Sequence, residues 1–319
     1  MSTQKYRNTL PQLGDTRLLT DGGSETTLIF HEGIDLPLFA SFHILRTEEG
    51  RTALRQYYER YAHIARSQGL GFILDSATWR ASKDWGDQLG YTDEALAVAN
   101  RDAVNMLYKL RTEFEADQPF VVSGNIGPRG DGYTPDTMMT ANEAEKYHGV
   151  QVATLDDAGV DMISAITMTH VGEAAGIARA CAKRSVPLAL SFTVETDGLL
   201  PSGQSLKDAI SEIDADTANR PSYYMINCAH PDHFHPILEA NADWTLRIRG
   251  LRANASRMSH AELDEAEELD EGNPVELAQD YAKLLTVLPN LRVFGGCCGT
   301  DHRHIDAIGH ACTDVSAVA

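Results

Sequence analysis

The stretch EAEKYHGVQVATLDDAGVDMISAIT, residues 143–167, decides the fold. Its first part, 143–158, has the three- and four-residue apolar spacing of a helix and is closed by Gly159, whereas 161–167 is a short apolar run of strand length. The apolar positions in that run are continuous rather than alternating, which implies a strand of a parallel sheet covered on both faces. The same unit recurs along the chain. Strand-like runs fall at 17–23, 71–78, 120–127, 161–167, 187–194, 223–228, 246–251 and 292–296, with helical patterns between them. One of these, 51–68, carries Leu54, Tyr57, Tyr58, Tyr61, Ile64 and Ala65 on one face and ends at Gly69. Eight strand-then-helix units are the count for a closed (β/α)8 TIM barrel, an α/β fold whose active site lies at the C-terminal ends of the strands. No internal repeat or low-complexity linker interrupts the pattern, so residues 1–319 read as a single domain.

With 43% hydrophobic and 23% charged residues, the 319-residue chain can bury one large core. Its net charge of -19 argues against nucleic acid or an anionic membrane as partner, because either would be repelled. Residues 1–18 lack an apolar core of signal-peptide length, and no later stretch is long enough to span a bilayer, so a cytoplasmic location is expected. Five cysteines are an odd number, which excludes a complete disulfide framework and suits a reducing compartment. Cys181 and Cys312 sit in alanine-containing helical stretches and read as small buried residues.

The remaining three cysteines carry chemistry. Cys228 lies in Ile226-Asn227-Cys228-Ala229-His230-Pro231, and Cys297 and Cys298 lie in Gly295-Gly296-Cys297-Cys298-Gly299-Thr300. Both motifs follow strand-like runs, so three thiolates reach the barrel rim from the sixth and eighth strand ends. Such a donor set suits Zn2+ with its fourth tetrahedral position open to water or substrate, the pattern of a catalytic metal. Two competing readings stand beside it. One of His230, His233, His235, His302 and His304 could close a structural site, or Gly295, Gly296 and Gly299 could cradle a phosphate at the eighth strand. The His-rich turn at 230–236 reads as a loop feeding a helix with Asp232 as its cap. The acidic run at 262–271 reads as a solvated helix face or loop, since it lacks calcium-loop spacing.

The chain resembles the homocysteine S-methyltransferase family, zinc-dependent barrel enzymes that include betaine- and S-methylmethionine-using members. The resemblance runs through Asp21-Gly22-Gly23, Thr78-Trp79-Arg80-Ala81, Ser123-Gly124-Asn125-Ile126-Gly127-Pro128, Ala158-Gly159-Val160-Asp161, Ser191-Phe192-Thr193 and both cysteine motifs. It implies that Cys228, Cys297 and Cys298 ligate zinc and that Asp21 helps hold the amino-acid end of a thiol substrate. It also implies methyl transfer from a small sulfonium (S-methylmethionine or S-adenosylmethionine) or ammonium donor such as betaine to homocysteine, giving methionine. Substrate contacts are expected from Asp21, Gly22, Gly23, Glu25, Thr78, Trp79, Asn125, Thr167 and Asn227. Trp79, Phe39, Phe42 and Tyr133 are candidate aromatic walls for a cationic donor, and each also reads as core packing. The partners are therefore a small thiol and a methyl donor, and the oligomeric state, monomer or homo-oligomer, is left open.

Two departures bear on the substrate. Where the resemblance leads one to expect Glu-Thr at the fourth strand end, this chain has Ile166-Thr167, and an apolar side chain cannot pair with an ammonium. In the first-strand loop the carboxylate is displaced, at Glu25. Either Glu25 replaces the missing carboxylate, or the acceptor is a small thiol without an amino group. A noncatalytic zinc- or thiol-binding barrel is the reading from a different class.

Overall fold

The computed structural model describes residues 4–133 and 138–314. Eight parallel strands close into a barrel in sequence order: β1 (Leu18–Leu19), β2 (Gly71–Asp75), β3 (Phe120–Ile126), β4 (Met162–Met168), β5 (Leu188–Phe192), β6 (Tyr223–Asn227), β7 (Ile248–Ala253) and β8 (Val293–Gly296). The expected barrel is thus present with all eight strands. β1 pairs with both β2 and β8, which closes the ring. Every residue of β2 through β6 is buried, the two-sided burial that the continuous apolar runs imply.

One apolar layer fills the barrel itself, with Leu18, Ile73, Val121, Met162, Ala189, Tyr223, Met225 and Val293 pointing inward. Leu10 joins this layer, and the neighbouring Gln12 side chain donates to Met162 Sδ and Tyr223 Oη, so the segment before β1 plugs the N-terminal mouth. A second layer lies between the strands and the surrounding helices.

The helix over 51–68 runs Glu48–Ser67, and the one over 143–158 runs Ala141–Asp157. Both begin early because of their caps. Thr47 accepts from the Gly50 N–H, and Thr140 with Glu143 forms a reciprocal capping box. Gly69 and Gly159, at φ of 66° and 96°, end the two helices where a side chain would be strained.

Two local expectations change. The connection from β6 to β7 holds only short turns, Pro231–Phe234, His235–Ile237 and Thr245–Arg247, because Pro236 interrupts a helix that starts at Pro231. Within it His230, not Asp232, caps the turn, its ring accepting from the Asp232 N–H. β7 also begins and ends two residues later than the 246–251 run, which carries Arg252 into the strand. Among the described residues no helix is long and apolar enough to cross a membrane.

Candidate metal centre

The chain reverses sharply after β6, and Cys228 takes a left-handed φ of 54°, an unusual conformation for a residue with a side chain. The Cys228 N–H donates to Arg252 O at 3.1 Å, and its carbonyl accepts from His260 Nε2 at 2.6 Å and Asn254 Nδ2 at 3.1 Å. After β8 the Cys297 N–H donates to Ala253 O, and the Thr300 hydroxyl donates to Cys297 O. Gly23 must be glycine here, since a Cβ would stand 2.6 Å from Cys297 O.

The three sulfurs of Cys228, Cys297 and Cys298 lie within 4.8 Å of one another. Cys228 and Cys298 Sγ are 3.9 Å apart. Tetrahedral zinc with bonds of about 2.3 Å places thiolates about 3.8 Å apart, so this edge has the right length. Cys228 and Cys297 are joined as a disulfide, with Cα atoms 5.4 Å apart, and reduction of that bond is required before all three can serve as ligands. In donor type, and in the length of the Cys228–Cys298 edge, the residues fit zinc. Burial pushes the Cys298 thiol up, with the Tyr133 hydroxyl opposing. Cys181 and Cys312 are buried in the helices Val171–Arg184 and His302–Asp314 and take no part.

No histidine joins the cysteine cluster among the described residues. His304 is engaged with Asp301 and Glu271 O, and His233 with Arg257 O. The phosphate reading fails as well. The Gly296 N–H donates to Asp21 O, and a Cβ on Gly295 or Gly296 would strike Thr20 or Thr300, so the would-be cradle is filled by protein.

A cavity of about 300 Å³ opens beside the sulfurs. Of the expected substrate residues, Asp21, Gly22, Gly23, Glu25, Trp79, Asn125 and Thr167 line it with the three cysteines. Thr78 and Asn227 are fully buried and outside the lining, where they act as supports. Thr78 donates to Asn125 O at 2.7 Å. Asn227 accepts from the Thr167 N–H at 2.9 Å and donates to its hydroxyl at 2.8 Å, holding Thr167 at a φ of 65°. That is a strained value for a β-branched residue. Phe39 and Tyr133 line the cavity, whereas Phe42 packs with Ala40, Ala81 and Leu96 in a separate core cluster. One face of Trp79 carries the Arg80 guanidinium at 4.5 Å, and the Tyr133 ring stacks on His260 at 4.0 Å. The Tyr133 hydroxyl lies 3.3 Å from Cys298 Sγ.

The cavity also contains groups that sequence reasoning missed: Asp75, Arg80, Asp131, Arg252 and Asp264. Arg252 reaches across the barrel, donating to Asp75 Oδ2 at 2.7 Å and Asp21 Oδ1 at 2.6 Å. Tyr57 adds a hydroxyl donor to Asp21 at 3.0 Å. Burial pushes the Asp21 carboxyl up to about 6, against the pull of Arg252. Burial disfavours the Arg252 cation, but Asp21 and Asp75 outweigh it and raise the guanidinium above its usual value. The acidic residue Asp75 inside the apolar run 71–78 signals that a buried carboxyl needs a partner, though not which one.

Glu25 is held by two hydroxyl donors, Ser24 at 2.6 Å and Ser41 at 2.8 Å. Five carboxylates, Asp21, Glu25, Asp75, Asp131 and Asp264, face two guanidiniums, Arg80 and Arg252, around one small cavity. Such a surplus of negative charge favours a cationic ligand.

Comparison with known proteins places the chain. A family model described as homocysteine S-methyltransferase matches residues 18–312. No curated protein sequence matches significantly. Among solved structures, the metallated form of the homocysteine methyltransferase MmuM from Escherichia coli aligns with a TM-score of 0.69 at 20% identity, covering 96% of this chain and 99% of that one. Its oxidized form aligns with a TM-score of 0.71 at 20% identity, covering 98% and 99%, and its apo form with 0.67 at 19%, covering 95% and 98%.

Proposed function

Because this chain belongs to the homocysteine S-methyltransferase family, we propose that it is a zinc-dependent thiol methyltransferase, acting as one domain, that transfers a methyl group from a small cationic donor to homocysteine and yields methionine. The observation that carries the reading is the convergence of Cys228, Cys297 and Cys298 on a cavity otherwise rich in carboxylates. A cytoplasmic setting, being reducing, would keep these thiols available.

Cys228, Cys297 and Cys298 would hold the metal. When bound, zinc supplies the Lewis acidity that keeps an acceptor thiol, ordinarily protonated near neutral pH, in its nucleophilic thiolate form. The rest of the work falls to the side chains of the cavity. Glu25, Asp131 and Asp264 provide the negative field that draws in a sulfonium or quaternary ammonium, and S-methylmethionine is the donor of first choice, ahead of S-adenosylmethionine and betaine. Phe39, Tyr133 and the face of Trp79 not covered by Arg80 wall the donor and exclude water. Holding thiolate and methyl carbon in line supplies much of the rate enhancement.

The test is turnover of homocysteine by reduced protein before and after treatment with a strong chelator. Activity that disappears with the metal and returns on adding one equivalent of zinc supports the reading, and activity indifferent to chelation refutes it. Neutralising Glu25 as Glu25→Gln is expected to raise the donor KM several-fold while leaving kcat nearly unchanged, the pattern of a lost electrostatic binding contact. Steady-state kinetics with donor varied at saturating homocysteine checks this.

A pH dependence follows from Asp21. Its folded-state value is raised above the usual one near 4, so the proton is held more tightly in the fold. The stability it contributes is full below about 4 and is lost as pH rises through about 6, while the ionised form that completes the charge set with Arg252 prevails only above about 6. kcat/KM for the acceptor is therefore expected to fall as pH drops through about 6, and Asp21→Asn is expected to flatten that acid limb.

A further inference from the structure

We infer that Asp75, with Asn125 beside it, receives the ammonium group of the acceptor amino acid and so replaces the carboxylate missing at the end of β4. The inference rests on the reading of homocysteine as the acceptor, and it assigns the contact that makes an amino-acid thiol preferable to a plain one.

At the end of β4 the cavity wall is Ile166, which offers an ammonium nothing to bind. Glu25 is the carboxylate of the first-strand loop, but each of its oxygens already accepts a hydroxyl hydrogen bond, from Ser24 and Ser41. Asp75 differs. It ends β2, is 3% exposed, and its Oδ2 is fixed by Arg252, while Oδ1 has no hydrogen-bond partner among the described residues. Asn125 on the adjacent strand is 8% exposed, and its Oδ1 likewise has no partner. The two are neighbours by register: Asp75 pairs with Ser123, and Asn125 is two residues further along β3, on the same face. Both line the cavity that contains the three sulfurs.

Buried acceptors are seldom left without donors, because the desolvation penalty is then uncompensated. Of the residues lining the cavity, Asp75 and Asn125 are the two whose buried side-chain oxygens are in that state among the described residues. An ammonium carries three N–H donors and a positive charge, which satisfies both oxygens and balances the second carboxylate that Arg252 alone leaves in excess. Arg252 is then a positioning residue: by engaging Oδ2 it turns the other oxygen of Asp75 away from itself. Asp75 and Arg252 are separated by 177 residues in the chain, so the arrangement exists only once the barrel closes.

The experiment compares homocysteine with 4-mercaptobutyrate, the same thiol acid without the amino group, in the full-length zinc-loaded protein and in Asp75→Asn, Asn125→Leu and Glu25→Gln. The quantity read is the ratio of kcat/KM for the two thiols. Asp75→Asn is expected to lower the wild-type preference for homocysteine about thirtyfold, as for loss of a charged hydrogen bond. Asn125→Leu, which leaves the Arg252 pair intact and guards against a folding defect in the first variant, is expected to lower it about threefold to tenfold. Glu25→Gln is expected to leave the ratio unchanged. Calorimetric binding of L-methionine against 4-(methylthio)butyrate reads the same discrimination without turnover. A preference that survives in both Asp75→Asn and Asn125→Leu, or one that collapses in Glu25→Gln, overturns the assignment while leaving the methyltransferase reading intact. Turnover of neither thiol by the wild type, with no discrimination in binding, overturns both.

Discussion

Replacing Cys298 with alanine is expected to eliminate turnover and to drop bound zinc from about one equivalent to a small fraction of one, with the fold preserved. The size of the effect follows from the donor set. With three thiolates the metal has the minimum ligand count of a catalytic zinc site, and two leave it weakly held. Of the three, Cys298 is the one outside the disulfide that Cys228 and Cys297 form in this structure, so the reduced variant still carries both of those thiols. The side chain supports little else, its principal contacts being with the Tyr133 hydroxyl and Cys228. Zinc content by atomic absorption, together with circular dichroism, separates loss of metal from loss of fold. A variant that retains stoichiometric zinc would contradict the three-cysteine site.

The second large effect is expected at Arg252. Substitution by methionine removes the single guanidinium between Asp21 and Asp75, both of which are nearly inaccessible to solvent. Breaking a buried ion pair by deleting one partner costs about 3–5 kcal/mol, because the surviving charge is left uncompensated. In a chain of this size that corresponds to a drop in Tm of about 5–8 °C. The deficit has a sign in pH. Without the guanidinium Asp21 holds its proton more tightly still, so the gap between wild type and Arg252→Met is widest near neutral pH and narrows as pH falls through about 6, the value to which burial already pushes Asp21. Thermal denaturation of both proteins at pH 5 and pH 7.5 checks this. An equal gap at both values would mean that Asp21 is not the group whose charge Arg252 compensates.

How much of this was legible in the chain depends on whether the signal was local. The strands announced themselves because a sheet covered on both faces demands unbroken apolar runs, and Gly69 and Gly159 mark helix ends through their own backbone preferences. The three cysteines stood out for a similar reason: each follows a strand, and a barrel places strand ends together. Arg252 and Asp75 did not stand out, since their meaning lies in a pairing across the barrel between β7 and β2. Phe39 and Phe42, three residues apart in a turn-rich stretch, were indistinguishable by type, and only tertiary packing sends one to the cavity and the other to a core. Asp264 was concealed within an acidic run that reads as solvated, yet the turn of helix His260–Asp264 brings it to the cavity. The glycines around Cys297 were visible, but their purpose was not. They allow the loops after β1 and β8 to pack against each other instead of cradling a phosphate.

The most direct test of the account is mass spectrometry of the methionine formed when reduced, zinc-loaded protein meets carbon-13 homocysteine and a deuteromethyl donor, with S-methylmethionine, S-adenosylmethionine and betaine tried in parallel. Methionine carrying both the homocysteine skeleton and the donor methyl, from at least one of the three, is the expected result. Protein shown to hold about one zinc that yields no doubly labelled methionine from any of them would contradict methyl transfer to homocysteine as its activity.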